Sequence, residues 1–317
     1  MTESTLRLAA AQVAEVYLDA EATVDKDCTF VHRAGEQGVD LVVFPEFHVP
    51  AAPQWYQYDD RYDHAEYYAA LYDQAVDTTN GPGVLAPLCD AAREADVAVV
   101  VGITERAPSP SKSMYNSQAF IDRDGTFLGT RRKIAPTKME RLFHDAGDGS
   151  DLRGFESKLG TLGGLVCGEH TNPLAIFATL AAGEEIHAAC WPAFPWLDEE
   201  TRTRNVGIRT QFHAYAGRVP TVAASGVVDE TLAETLDKPE WAGIGGTSGI
   251  IGPNGAYVAG PNVEGEGLVV ADVSTAESIA GKALHDILGH YNRPDIFELR
   301  VDRSSRSLLT DVDETSG

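Results

Sequence analysis

Basic residues are scarce in this chain. Lys plus Arg number 25 against 48 Asp plus Glu, a formal net charge of −23 over 317 residues. Such a surface repels phosphate backbones, so nucleic acid is excluded as an expected partner. The acidic residues are scattered rather than blocked, which argues against a disordered acidic tail. A lysine-poor acidic surface suits a high-salt cytoplasm, where self-repulsion is screened, and fits an acidic mesophile equally well. Long hydrophobic runs are missing, so neither a membrane span nor a membrane partner is expected. Met1-Thr-Glu-Ser-Thr5 lacks a basic segment followed by an apolar one, so no signal peptide is expected. Cysteine is sparse too: Cys28, Cys89, Cys167 and Cys190. None forms a CxxC pair and no His cluster accompanies them. Neither a zinc site nor a disulfide framework is indicated, no metal or other cofactor is expected, and reduced thiols point to the cytoplasm.

Hydrophobic residues make up 43%, enough for a substantial core. Leu6 to Val13 reads as a first strand and Ala20 to Gln37 as a helix with Val24, Cys28, Val31 and Ala34 on one face. Val39 to Pro45 is a buried-type strand that runs into Glu46. Ala51 to Tyr58, aromatic and proline-rich, reads as a loop that walls a pocket or packs on the surface. Tyr62 to Val76 and Gly83 to Ala95 read as helices, and Val97 to Ile103 as a strand. Asp122-Arg-Asp-Gly125 marks the turn of a hairpin over Ser117 to Arg131. Ile186 to Pro192 and Val219 to Val227 read as strands around a helix at Arg202 to Gly217. A second hairpin lies near Gly255, a strand covers Gly267 to Val273, and Val273 to Leu284 reads as mostly helical. Strands and helices alternate without a linker. This predicts an α/β fold in one domain over residues 1–303, with a polar tail at 304–317.

The stretch Thr161 to Gly183 organises the rest. Its first part is short, apolar and glycine-bearing, like a buried strand. After Asn172-Pro173 the apolar residues take helical spacing as far as Gly183. Cys167 is therefore expected on a sharp strand-to-helix turn that exposes a nucleophile, with a helix N-terminus favouring its thiolate. Glu46 ends another apolar strand, and Lys133 follows a hairpin strand. Parallel strands bring their C-terminal ends together, so a carboxylate, an ammonium and a thiol can meet in one crevice. In such a set the carboxylate moves protons, the ammonium stabilises developing negative charge, and the thiol attacks an electrophilic carbon.

Leu41-Val-Val-Phe-Pro-Glu46, Arg132-Lys-Ile-Ala-Pro-Thr-Lys-Met-Glu-Arg141 and Cys167-Gly-Glu-His-Thr-Asn-Pro173 together resemble the carbon–nitrogen hydrolase (nitrilase) superfamily. The resemblance runs from Arg7 to Asp295. It implies Glu46 as general base, Lys133 as cationic stabiliser, Cys167 as nucleophile and Glu140 as a second glutamate that holds the lysine. It also implies an α-β-β-α sandwich of two mixed sheets flanked by helices, assembled as a homodimer or larger homo-oligomer. The residues after Cys167, with Pro136-Thr-Lys-Met-Glu-Arg141, look most like the nitrilase branch. Gly168 replaces a commoner Trp and is expected to leave room beside the nucleophile. Trp55, Gly168, His170, Trp191 and Phe194 are the expected substrate-pocket residues, with packing the other reading of His170. The implied reaction converts a small nitrile to a carboxylic acid and ammonia through a thioimidate and a thioester on Cys167. An aliphatic or N-carbamoyl amidase, an N-acyltransferase and a non-catalytic binding relative remain as alternatives.

Overall fold

The structure is a computed structural model that describes residues 5–305. The first four residues, read above for a leader, and most of the expected tail lie outside the described residues. Strand β1 (Thr5–Gln12) sends Leu8 and Ala10 to one layer and Ala9 and Ala11 to the other, the two-residue period of a strand. Helix α1 (Ala20–Glu36) starts on Asp19, whose carboxylate accepts from Ala22 N–H, and buries Val24, Phe30, Val31 and Ala34. Strand β2 (Leu41–Val43) is wholly buried. Helix α2 (His64–Gln74) opens on a capping box between Asp63 and Glu66. The helix expected over Gly83 to Ala95 is divided into a 3-10 turn, Gly83–Leu85, and α3 (Ala86–Ala95).

Strands β3 (Ala98–Arg106), β4 (Met114–Ile121) and β5 (Phe127–Arg132) form an antiparallel meander, with Gly125 supplying a φ of 83° in the expected turn. Then come β6 (His144–Asp145), β7 (Phe155–Ser157), β8 (Gly160–Val166), α4 (Pro173–Ala181), β9 (Ile186–Trp191), α5 (Glu199–Gly217) and β10 (Thr221–Ser225). The chain continues through α6 (Glu230–Thr235), β11 (Ser248–Ile251), β12 (Tyr257–Asn262), β13 (Gly267–Ser274) and α7 (Ala276–Lys282). The last expected helix is thus shorter than its sequence pattern. The aromatic stretch expected as a loop is a 3-10 helix, Pro53–Tyr58.

Two mixed sheets result, in the order β13-β1-β2-β3-β4-β5, with β6 beside β4, and β12-β11-β10-β9-β8-β7. Leu8, Leu41, Val43, Val100 and Phe120 of one sheet pack against Phe155, Leu162, Ile186, Val222 and Ile250 of the other. Phe120 and Phe155 stack across the interface with centroids 4.0 Å apart. Residues of α1 and α3 cover the outer face of the first sheet, and residues of α4 and α5 that of the second. The fold is the helix–sheet–sheet–helix sandwich that the resemblance implied. None of the described helices is long and apolar enough to cross a membrane. The parallel centres, β1-β2-β3 and β8-β9-β10, bring the segments after β2, β8 and β9 to the same end.

Candidate active site

Glu46 lies three residues beyond β2, where its N–H donates to the Trp191 carbonyl at 3.2 Å and so ties it to the end of β9. Gly102 of β3 makes this course possible. A Cβ there would lie 2.1 Å from the Pro45 oxygen and 2.7 Å from Glu46 Cα, so only glycine lets the two backbones approach. Lys133 follows β5, with its N–H on the Asn116 carbonyl at 2.7 Å. Glu140 sits in the 3-10 helix Lys138–Leu142, where its Oε2 accepts from Thr137 N–H at 2.6 Å.

These three side chains meet. Lys133 Nζ is 2.8 Å from Glu46 Oε1 and 2.9 and 2.8 Å from the two Glu140 oxygens. Glu46, Lys133 and Glu140 are only 3%, 1% and 6% exposed, so the contacts act in a site with little solvent to screen them. Asn116 Nδ2 donates to Glu46 Oε1 at 2.7 Å and to Glu140 Oε1 at 2.8 Å, a bridging role that sequence reasoning did not assign. Glu46 Oε2 accepts no hydrogen bond from the described residues and remains available for a proton.

Burial pushes Glu46 up to about 7, against the pull of Lys133 and with the help of Glu140. Burial works against the Lys133 charge, but Glu46, Cys167 and Glu140 outweigh it and hold the ammonium above its ordinary value. Burial pushes the Cys167 thiol up, and Glu46 adds to the shift while Lys133 opposes it. Enclosure and Glu46 thus favour the neutral thiol at Cys167. This corrects the expectation that a helix N-terminus favours its thiolate. The reason is local: Cys167 opens a 3-10 turn, Cys167–Thr171, and α4 starts only at Pro173, with Asn172 Oδ1 as its cap.

The elbow itself is as expected. Cys167 follows the last residue of β8 and takes a φ of 47°, rare for a residue with a β-carbon. Glu169 clamps it. Its carboxylate accepts from Arg131 at 2.6 and 2.7 Å, from Ile134 N–H at 2.8 Å and from Val166 N–H at 2.8 Å. One buried ion pair thus joins the Lys133 segment to the Cys167 turn. Burial raises the Glu169 carboxyl, but Arg131 and the two backbone donors outweigh it and hold it down.

The expected pocket residues are divided. Trp191, enclosed, and Phe194, partly exposed, share an apolar cluster with Cys167. A Cβ on Gly168 would lie 3.3 Å from Thr137 Oγ1, so that threonine narrows the room expected there. His170 is buried and stacked on Trp191 at 5.1 Å, with both ring nitrogens engaged, so it packs behind the elbow and lines no open space. Trp55 belongs to another cluster, with Phe47 and Ala193, and its Nε1–H donates to Glu15 at 2.6 Å. Cys190 is sealed within β9, where its sulfur accepts from Gln118 at 3.1 Å and burial pushes its thiol up to about 12. Against the sequence reading, histidines do cluster. Glu184, His187 and His213 each bring a donor atom within 4.8 Å of the others. One ring nitrogen of each histidine meets the same Glu184 oxygen.

Residues 7–282 match the carbon–nitrogen hydrolase family. Nitrilase 3 from an unknown prokaryotic organism is 36% identical over 95% of this chain and 91% of its own length. An aliphatic nitrilase of Rhodococcus rhodochrous is 34% identical over 95% of this chain and 83% of its own. In fold, the chain is similar to Saccharomyces cerevisiae Nit3, a member of branch 10 of the nitrilase superfamily, with a TM-score of 0.71 and 19% identity over 92% of this chain and 97% of the yeast protein. The chain that places Glu46, Lys133, Glu140 and the Cys167 elbow at one end of a double-sheet sandwich belongs to the carbon–nitrogen hydrolase family.

Proposed function

We propose that the protein is a nitrilase-type thiol hydrolase, with Cys167 as nucleophile, Glu46 as general base, Lys133 as cationic stabiliser and Glu140 as the carboxylate that holds the lysine. The observation that carries this reading is the Lys133 ammonium held between Glu46 and Glu140, close enough to Cys167 for each charge to bear on the thiol. The Cys167 proton passes to Glu46 as sulfur adds to the nitrile carbon, and Glu46 hands that proton to the nitrogen, which gives a thioimidate and restores the carboxylate. Glu46 then takes a proton from water, whose oxygen adds to the same carbon. The carbon–nitrogen bond breaks, ammonia leaves and a thioester remains. A second water, deprotonated the same way, releases the carboxylic acid and restores the thiol. Two waters are consumed for each nitrile. Lys133 faces the negative charge that develops at each addition. No step calls on a cofactor.

The same groups would cleave an amide, so the choice of nitrile draws on the relatives, which are named nitrilases at 31–36% identity. A panel of small nitriles beside their matching amides, assayed for released ammonia, tests it. Faster turnover of amides across the panel would convert the reading to an amidase. A supplied amine that replaces water in product formation would convert it to an acyltransferase.

The reading includes a homodimer in the cytoplasm, where a free Cys167 stays reduced. Ile208, Phe212 and Tyr215, spaced four and three residues apart on α5, form an exposed apolar stripe. A monomer in sedimentation at micromolar concentration would remove the dimer.

A further inference from the structure

A second polar cluster is sealed behind the elbow. His170 lies in the turn after Cys167, Glu184 precedes β9, His187 is in β9 and His213 is on α5; all four are buried. His170 Nδ1 is 2.9 Å from the Cys167 carbonyl oxygen, and its Nε2 is 2.9 Å from His187 Nε2. His187 Nδ1 meets Glu184 Oε1, and His213 Nε2 reaches the same oxygen at 3.2 Å. The His187 and His213 rings stack with centroids 3.5 Å apart.

Both ends of the row from Cys167 to Glu184 are acceptors, a carbonyl oxygen and a carboxylate. Three contacts lie between them, and each needs one proton. Two neutral imidazoles supply two. Without a third, one contact always fails: His170 Nδ1 turns a lone pair on the Cys167 oxygen, the two Nε2 atoms face each other lone pair to lone pair, or His187 Nδ1 turns a lone pair on the Glu184 carboxylate. With it, the carboxylate and the two rings together carry no net charge, which is what enclosure favours. The other cation near these rings, Arg131, is engaged by Glu169. The third proton can rest on the imidazole pair or on Glu184, and every contact is satisfied either way. Burial works against the Glu184 charge, but His187 and His213 outweigh it and hold the carboxyl well below its usual range, while burial holds His170 and His187 down as well, so the three contacts and not the charges place the third proton.

We propose that Glu184, His187 and His170 form a one-proton relay whose far end, His170 Nδ1–H on the Cys167 carbonyl, holds the elbow in its left-handed conformation and so aims the thiol. His170 and His187 are positioning residues that touch no substrate. The proposal rests on Cys167 being the nucleophile.

His170→Phe keeps a ring on Trp191 and removes the donor. Glu184→Gln keeps the relay supplied, because its amide NH2 can donate to His187 and His213 together and leave each remaining contact one proton. Glu184→Leu supplies nothing. The readouts are the rate of iodoacetamide alkylation mapped to Cys167, kcat, KM and Tm. His170→Phe and Glu184→Leu are expected to lower alkylation and kcat together, by roughly tenfold to a hundredfold, with KM unchanged. Glu184→Gln is expected to stay close to wild type. Wild-type alkylation and kcat in His170→Phe would overturn the relay, as would a Glu184→Gln enzyme as impaired as Glu184→Leu. Should these variants not fold, 15N-histidine NMR of the wild-type protein decides. Protons on His170 Nδ1, between the two Nε2 atoms and between His187 Nδ1 and Glu184 support the relay, and the lack of any one defeats it. If alkylation depends on His170 while Cys167→Ala still turns over, Cys167 is not the nucleophile and the thiol-hydrolase reading fails, whereas the hold of His170 on the elbow stands.

Discussion

Lys133 Nζ and Glu46 Oε1 lie 2.8 Å apart, with both side chains almost wholly enclosed. Burial, against the pull of this lysine, sets the pH at which Glu46 would work as the proposed base. Glu46 is pushed up from an ordinary 4.5 to about 7. A general base acts ionised, so kcat/KM is expected to rise with pH through about 7 and level off above it. Lys133 pulls Glu46 down, so Lys133→Ala should move this limb to higher pH and cost about a hundredfold or more in rate. A limb that stays in place would remove Lys133 as the partner of Glu46. Stability runs the other way for Glu46 alone. Its raised pKa favours the folded state below about 4.5, and that contribution fades as pH rises through about 7.

Cys167→Ala is expected to abolish turnover, and an arrested covalent adduct should map to Cys167 by mass spectrometry. Cys167→Ser should fold and be nearly inactive, since a hydroxyl is the weaker nucleophile. Cys190→Ala should keep much of the activity, because its sulfur is sealed against Gln118. An adduct on Cys28, Cys89 or Cys190 would displace the assigned nucleophile.

The Arg131–Glu169 pair makes a separate prediction about stability. Arg131→Met leaves a buried carboxylate with only two backbone donors. Breaking such a pair costs about 3–5 kcal/mol, readable as a lower urea midpoint, and turnover should fall with it because the clamp joins the Lys133 segment to the elbow. A midpoint within error of wild type would show that the two backbone donors suffice.

Gly102→Ala tests the close approach beneath Glu46. The new Cβ would stand 2.1 Å from a backbone oxygen that cannot rotate away. The Glu46 segment has to shift, and a base displaced by about 1 Å can cost about a hundredfold in rate. Wild-type kcat and Tm together would show that the backbone yields without moving the carboxylate.

The charge of −23 carries a salt prediction. At about 1 M salt the Debye length is about 3 Å, so self-repulsion among surface carboxylates is screened. Tm should rise between dilute buffer and molar potassium chloride. A flat or falling curve would leave the catalytic reading untouched and remove the high-salt interpretation of the composition.

The sequence by itself determined most of the strands and the long helices, and where candidate reactive side chains follow them. Alternating burial in β1, the apolar run before Glu46, and the glycine-bearing strand before Cys167 are written in neighbouring residues, because side-chain period and turn geometry depend on the local backbone. Asn116 was not legible in this way, nor were the Arg131–Glu169 clamp or the His170–His187–Glu184 row. Asn116 lies 70 residues from Glu46, and Arg131 lies 38 from Glu169. The surroundings of the Cys167 thiol were not legible either. A local pattern suggested a helix dipole at the thiol, whereas enclosure between packed layers and the Glu46 charge decide its pKa. Trp55 looked like a pocket wall until packing sealed its ring and gave its N–H to Glu15. Burial and long-range hydrogen-bond partnership arise only when the two sheets close on each other and solvent is excluded. Tertiary structure alone therefore decided which polar groups share protons and which aromatic side chains are left open to a ligand.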